Sequence, residues 1–291
     1  VRVSGGRQAL PIGVREIVLL GHPVAHSLSP AMHNAAFAEL DLPYVYRALD
    51  VLPDDVTDAM RALERADVVG GNVTVPHKLA VSALCDRLTD EARLIGAVNT
   101  FWWEGVIGER VLVGDNTDAL GLERALREDL GLATEGPALA GRSAVLFGTG
   151  GAARAAVVSL GRLGASITVT GRDPERAAGI AELVDVASDV VLLGSERLTG
   201  VVESAFLIVN ATSLGLSGEE IPDPFMRLRA GQVAYDLVYG DRPTSFLAAG
   251  GAAGAVAFGG QGMLLHQAAL AFERWMGEAA PVEVMREAMT G

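Results

Sequence analysis

The sequence predicts an α/β protein made of two βα units. Short apolar runs alternate with longer stretches of helical period, the pattern of strands and crossover helices on a parallel sheet. A second set of such elements starts near residue 143, where an apolar strand runs into a glycine turn and a helix. The chain has 291 residues and is 50 % apolar, which is enough for one large or two medium cores.

In the first unit, "EIVLLG" (16–21) reads as a buried strand and "SPAMHNAAFAEL" (29–40) as a helix with Ser29 at the N-cap and Pro30 at the first helical position. "YVYRAL" (44–49) is a second strand. "PDDVTDAMRALERA" (53–66) is a helix with acids in its first turn, where they suit the helix dipole. "VVGGNVT" (68–74) is a third strand that ends just before Pro76 and Lys78. "AVNTFWW" and "VLVGDNTD" form a strand pair around the turn "EGVIGER". The boundary falls near Asp118, in the helix "DALGLERALREDL". Beyond it come the strand, turn and helix of "SAVLFGTGGAARAAVVSLGRLG", the strand "SITVTGR", the helix "PERAAGIAEL", and buried strands in "AFLIVNATSLGL" and "QVAYDLVYG". The end of the chain is helical, and residues 1–13 read as a loose extension.

Composition narrows the function. Net charge is −13 with a pI near 4.8, and no Lys/Arg cluster is present, so a nucleic-acid partner is not expected. One cysteine, Cys85, rules out an intrachain disulfide and fits a reducing cytoplasm. Its setting, "AVSALCDRL", is an apolar helix face, so core packing is the expected role. No signal-peptide pattern opens the chain. Residues 243–272 carry no charge, but six glycines, Gln261, His266 and Gln267 interrupt them, so they read as helix, buried strand, glycine turn and helix instead of a membrane span. His22 and His26 are no metal pair, because Pro23 spoils a helix between them.

"GTGGAA" (148–153) follows an apolar strand and opens a helix, matching G-x-G-x-x-A. Gly148, Gly150, Gly151 and Ala152 then let backbone N–H groups approach a pyrophosphate at the positive helix end. The next strand runs into Gly171–Arg172. Arg172, with Arg176 one turn on, suits the 2′-phosphate of NADP, whereas Asp173 at the same corner would suit the ribose of NAD.

Of 23 basic residues, Lys78 is the only lysine. It follows a strand end bearing Asn72 and Thr74. Ser27, Ser29, Asn99 and Asp118 also fall at predicted strand ends, where ligands bind in parallel α/β sheets. Hydroxyls and amides of this kind suit a polyol acid, and a Lys/Asp pair can move a proton. Ser29 and Asp118 are equally compatible with helix caps, and Asn99 with a turn.

These residues carry a resemblance. "GHPVAHSLSPAMHN", "NVTVPHK", "GAVNT", "DNTDALG", "GTGGAARA", "NATSLGL", "DLVYGDRPT" and "GMLLHQAALAFERWMG" occur in the order and spacing of the shikimate/quinate dehydrogenase family, and the chain resembles shikimate dehydrogenases past residue 16. The resemblance implies an α/β substrate domain (1–117), a Rossmann-type dinucleotide-binding domain (118–260) and C-terminal helices (261–291) returning to the first. It implies reversible NADPH-dependent reduction of 3-dehydroshikimate to shikimate in aromatic amino-acid biosynthesis. Lys78 and Asp118 resemble the catalytic pair, and Ser27 and Ser29 the carboxylate-binding pair. Asn72, Thr74, Asn99 and Gln267 resemble the residues around the ring hydroxyls, with Tyr239 near the carboxylate. Thr212 and Gly260 join the cofactor set by the same resemblance. It allows a homodimer and implies a cytoplasmic enzyme with a small-molecule substrate and no nucleic-acid or membrane partner.

Three positions depart from the family pattern: Ser245 stands where proline is common, Asp115 adds an acid near the site, and Asp173 replaces a frequent Ser or Thr. An NAD-dependent quinate/shikimate dehydrogenase, or a non-catalytic metabolite-binding regulator on the same scaffold, are the alternative readings.

Overall fold

Among the described residues, two six-stranded sheets organise the chain. In a computed structural model, the structure describes residues 13–290 except 65–67, 107, 187, 216–217 and 241. All but Gly13 of the expected loose extension lies outside the described residues. The chain divides into two compact units, one ending at Thr117 and resuming at Leu265, the other running from Asp118 to Leu264.

The first unit carries β1 (Arg15–Gly21), α1 (Ser29–Glu39), β2 (Tyr44–Asp50), a 3-10 turn (Pro53–Asp55), α2 (Val56–Glu64), β3 (Val68–Val73), α3 (Lys78–Leu84), β4 (Arg87–Leu88), α4 (Asp90–Ile95), β5 (Thr100–Glu104) and β6 (Val111–Asp115). Its sheet has the order β2-β1-β3-β5-β6-β4. Ile17, Val18, Leu19 and Leu20 are all buried, which explains why β1 reads as an unbroken apolar run: it is covered on both faces. β1 pairs parallel with β2 and β3, whereas β5 runs antiparallel to both β3 and β6. The sheet is thus mixed: β5 and β6 are the strand pair expected around "EGVIGER", and β5 also pairs antiparallel with β3.

Two local expectations change. Leu28, not Ser29, is the N-cap of α1, and no side chain caps the helix. Ser29 is its first helical residue, and its amide donates to Ser27 Oγ at 3.3 Å. The helix expected over 53–66 starts as the 3-10 turn and continues as α2, with 65 and 66 outside the described residues. Cys85 ends α3 and packs against the core of this unit; burial pushes its thiol up to about 12, as fits an inert packing residue.

The second unit carries α5 (Asp118–Asp129), β7 (Ser143–Phe147), α6 (Gly151–Arg162), β8 (Ser166–Thr170), α7 (Pro174–Ala181), β9 (Ser188–Val190), α8 (Glu196–Ser204), β10 (Leu207–Asn210), α9 (Asp223–Met226), β11 (Val233–Asp236), α10 (Ser245–Ala252) and β12 (Val256–Phe258). Every strand pair in it is parallel, in the order β12-β11-β10-β7-β8-β9. Counted from β7, this is the Rossmann order, whose switch point lies between β7 and β10. The strand expected to be buried within residues 243–272 is β12. It is instead a sheet edge, with Val256 53 % exposed.

Last come α11 (Gln261–Met276) and α12 (Val282–Glu287). The α11 helix starts in the second unit and enters the first at Leu265. There Phe272 meets Phe37 of α1 at 5.6 Å, Trp275 Nε1 donates to Phe101 O at 3.2 Å, and α12 lies against α1. No described helix is long and apolar enough to cross a membrane.

Glycine has opposite meanings in β3 and α8. A Cβ at Gly70 would lie 2.3 Å from the carbonyl oxygen of Phe101, whereas one at Gly200 would meet nothing within 4 Å. Gly70→Ala is expected to destabilise by ~1–3 kcal/mol through strand separation. Gly200→Ala, inside a helix, is expected to stabilise by ~0.5–1 kcal/mol. Urea midpoints of the two variants should move in opposite directions; a shift of the same sign would contradict this reading of the two backbones.

Candidate active site

The antiparallel turn of β5 gathers the polar residues of the first unit. Asn72 lies opposite Thr100, and Thr100 opposite Asp115, so three segments distant in sequence align across β3, β5 and β6. Asn72 Nδ2 donates to Asn99 O at 3.1 Å and to Thr100 Oγ1 at 3.0 Å. Thr100 Oγ1 donates to Asn99 Oδ1 at 2.9 Å, and that oxygen also accepts from the backbone N of Thr117 at 2.8 Å. Asn99 Nδ2 donates to Thr117 Oγ1 at 2.9 Å and to Gln267 Oε1, on α11, at 3.2 Å. Asn72, Asn99, Thr100, Thr117 and Gln267 are all buried, so each bond replaces water that these groups have lost.

Lys78 stands beside this network. After β3, Thr74 N donates to Leu20 O at 2.8 Å, the Val75–Pro76 peptide is cis, and His77 N closes a turn onto Thr74 O at 2.9 Å. The buried His77 ring sits 2.7 Å from Val51 O through Nε2. The α3 helix opens at Lys78, whose carbonyl accepts from Val98 N at 3.0 Å. Its half-buried side chain therefore leaves a backbone fixed to the segment that holds Asn99. Ser27 and Ser29 sit in the turn from β1 into α1 and share the bond described above; no hydrogen bond in the network reaches them. His22 bonds Asp50 rather than His26, at 2.5 Å. Among the described residues, no three His, Cys, Asp or Glu side chains are placed to hold a metal ion.

The second unit supplies a separate constellation. At Gly148, φ is +133° and a Cβ would lie 2.7 Å from Ala211 O, so the turn after β7 needs glycine. Gly150 is the N-cap of α6, no side chain caps that helix, and a Cβ on Gly150 would meet nothing within 4 Å. The first-turn amides of α6, at Gly151 and Ala152, thus lack a side-chain cap, as an anion site at a helix N-terminus requires. Thr212 folds the loop after β10: its Oγ1 donates to Asn210 Oδ1 at 2.7 Å and accepts from Leu214 N at 3.1 Å. Its methyl group would lie 3.2 Å from a Cβ on Gly148. Gly260 is held against Leu237, whose carbonyl oxygen would lie 2.4 Å from an added Cβ. Arg172 and Arg176 are exposed after β8, half-buried Tyr239 follows β11, and buried Asp118 opens α5.

Sequence reasoning missed Tyr46, Thr100 and Thr117. The two threonines stand inside the quoted motifs "GAVNT" and "DNTD", where the neighbouring amide and acid drew the reading. Tyr46 looks like an ordinary alternating strand residue, yet its hydroxyl donates to Asn72 Oδ1 at 2.7 Å.

A family model described as the shikimate dehydrogenase substrate binding domain matches residues 19–101, and one described as the shikimate 5′-dehydrogenase C-terminal domain matches residues 260–290. A shikimate dehydrogenase (NADP(+)) of Methanopyrus kandleri is 43 % identical to this chain, covering 93 % of each. The chain belongs to the shikimate dehydrogenase family. Another member, from Moorella thermoacetica, is 44 % identical over 94 % of this chain and 93 % of its own. The crystal structure of the shikimate 5-dehydrogenase from Thermus thermophilus in complex with NADP(H) and shikimate matches with a TM-score of 0.80 at 37 % identity, covering 95 % of this chain and 99 % of that one.

Each departure from the shikimate dehydrogenase pattern has a local explanation. Asp115 does not add a loose negative charge: its carboxylate accepts from Thr89 Oγ1 and the Asn116 amide and pairs with Arg274 Nε of α11 at 2.8 Å. Asp173 is the N-cap of α7, accepting from the amides of Glu175 and Arg176 at 3.1 Å, and its second oxygen lies 3.2 Å from Arg176 Nε. Ser245 is the first residue of α10, behind the Thr244 cap, so the missing proline touches only a helix start.

Among the described residues, one buried base is left without a hydrogen bond. His33 is 0 % exposed, neither ring nitrogen has a partner among those residues, and the ring stacks on Tyr46 at 4.4 Å. Burial lowers its pKa from 6.5 to about 3. The unfolded chain therefore takes up this proton first as pH falls below 6.5, and stability is lost from there down to about pH 3. Between about pH 7 and about pH 5 the loss from this one group is expected to be ~2 kcal/mol. His33→Phe should remove that part of the slope. Unfolding free energies of both proteins at the two pH values check this, and equal losses would contradict it.

Proposed function

We propose that this chain catalyses the reversible, NADP-dependent reduction of 3-dehydroshikimate to shikimate, the step its family performs in aromatic amino-acid biosynthesis. The observation that carries the reading is Lys78, the only lysine, opening α3 beside the buried amide network of Asn72 and Asn99. NADP is read as lying along the first turn of α6, with Gly148, Gly150, Gly151 and Ala152 at its pyrophosphate and Thr212 and Gly260 beside them. Arg172 has no partner among the described residues, and Asp173 is engaged as a helix cap, so the corner after β8 favours a 2′-phosphate over a bare ribose. The cofactor supplies the hydride acceptor for alcohol oxidation.

The chain's own residues do the rest. Ser27 and Ser29 hold the substrate carboxylate, with Tyr239 near it. Asn72, Thr74, Asn99 and Gln267 surround the ring hydroxyls. In the oxidation direction Lys78 takes the hydroxyl proton as the C–H hydride leaves, and in reduction it returns that proton to the carbonyl oxygen. Asp118 orients the hydroxyl. The domain assignment follows the same reading: substrate on 1–117 with the helices of 261–291, and cofactor on 118–260. A cytoplasmic setting, supported by the single cysteine, and a homodimeric assembly complete it; sedimentation analysis checks the assembly.

The test is a steady-state assay crossing shikimate and quinate with NADP and NAD. The proposal expects shikimate with NADP to give the highest kcat/KM; quinate with NAD in that place would favour the catabolic alternative, and no turnover at all the binding-protein alternative. In the same assay Lys78→Ala should lose ~10²–10⁴ in kcat with little change in the KM for shikimate. Lys78→Arg should not recover it, because a guanidinium holds its proton and is bulkier and forked. Near-normal turnover in either variant would contradict the assignment of Lys78.

A further inference from the structure

Tyr46 is tied down at three places. Its backbone N donates to Asn34 Oδ1 at 2.8 Å, and its carbonyl accepts from Asn34 Nδ2 at 3.0 Å, so the side chain of Asn34 pairs with β2 as a neighbouring strand would. Its ring stacks on His33 at 4.4 Å and 18° and meets Trp275 at 6.1 Å. Its hydroxyl donates to Asn72 Oδ1 at 2.7 Å. The residue is 1 % exposed.

The bonds around Asn72 fix which end of its amide faces which way. Asn99 O is a carbonyl and can only accept, so the amino group of Asn72 must face it. Both amino hydrogens are then used, on Asn99 O and Thr100 Oγ1. What remains is Oδ1, which accepts from Tyr46 and keeps one further lone pair. Asn72 can therefore offer a ligand an acceptor but not a donor. The hydroxyl of Tyr46 sets the position of that acceptor.

We propose that Tyr46 is a positioning residue for substrate: held by Asn34 and His33, it fixes Asn72 Oδ1 where a ring hydroxyl of the substrate donates to it. This rests on the proposed function, because the ligand is taken to be shikimate. Tyr46→Phe keeps the ring and its stacking and removes only the hydroxyl.

The experiment is a double-mutant cycle read by calorimetric Kd for shikimate, with kcat measured alongside. Tyr46→Phe is expected to weaken shikimate binding by about three- to tenfold, the loss of one hydrogen bond, with kcat and the Kd for NADP within about twofold of wild type. Asn72→Ala should weaken shikimate more. The double variant should bind shikimate as Asn72→Ala does, because Tyr46 acts only through Asn72. If Tyr46→Phe binds shikimate as the wild type does, or weakens it equally in the Asn72→Ala background, or weakens NADP by the same factor, the proposal is overturned. A wild-type protein that neither binds nor oxidises shikimate overturns the functional reading itself, which is a different result from a wild type that does both while Tyr46→Phe is silent.

Discussion

The buried amide of Asn99 is the constraint on which the polar network of the first unit depends. Its oxygen accepts from Thr117 N and Thr100 Oγ1, its amino group donates to Thr117 Oγ1 and Gln267 Oε1, and its backbone carbonyl receives Asn72. Thr117 N can only donate and Asn99 O can only accept, so these two backbone groups impose a direction on every amide between them. Turning one amide over would set acceptor against acceptor at Asn99 O or Gln267 Oε1, or donor against donor at Thr117 N, at about 1–3 kcal/mol for each unsatisfied group. Bonds of this kind also reinforce one another where water is excluded. The result is a rigid polar floor assembled from β3, β5, the segment after β6, and α11.

The protein has net charge −13 and is read as binding anionic ligands. Three acids, Asp115, Asp173 and Asp236, are engaged in bonds within their own units. Asp115 is paired with Arg274, and Asp173 caps a helix and pairs with Arg176. Asp236 is buried at the end of β11, and desolvation raises its pKa against the opposing hydrogen bonds from Thr244, Val238 and Asn210. Each carboxylate does a structural job on its own unit. The same pairing gives Asp115 a second effect: it fastens α11 to β6 within the first unit, on the helix that carries Gln267 to Asn99.

Much of this was legible in the sequence because the signals were local. An unbroken apolar run marked β1, and the glycine motif marked the turn from β7 into α6, where the positive φ of Gly148 and the close Ala211 carbonyl make glycine necessary. The order of the motifs identified the family. What was not legible depended on register. Nothing in "YVYRAL" says that Tyr46 reaches Asn72, because that contact needs β2, β1 and β3 aligned side by side. Nothing in "DNTD" says that Asp115 meets Arg274, 159 residues away. Ser29 looked like a cap because its residue type is right, yet the turn from β1 enters the helix one residue earlier and hands the bonding role to Ser27 Oγ. The exposure of β12 was hidden because its residues are apolar although it ends the sheet.

The central claim is that the direction of the Asn99 network builds the site proposed for shikimate and leaves the residues proposed for NADP unaffected. Asn99→Asp has the same shape but replaces the amino group with a second acceptor, facing Gln267 Oε1. The decisive measurement is calorimetric Kd for shikimate and for NADP in this variant. The account predicts at least about tenfold weaker shikimate binding, as expected for a buried acceptor left facing an acceptor, with NADP binding unchanged. Shikimate binding equal to wild type, or parallel loss of both ligands, would contradict it.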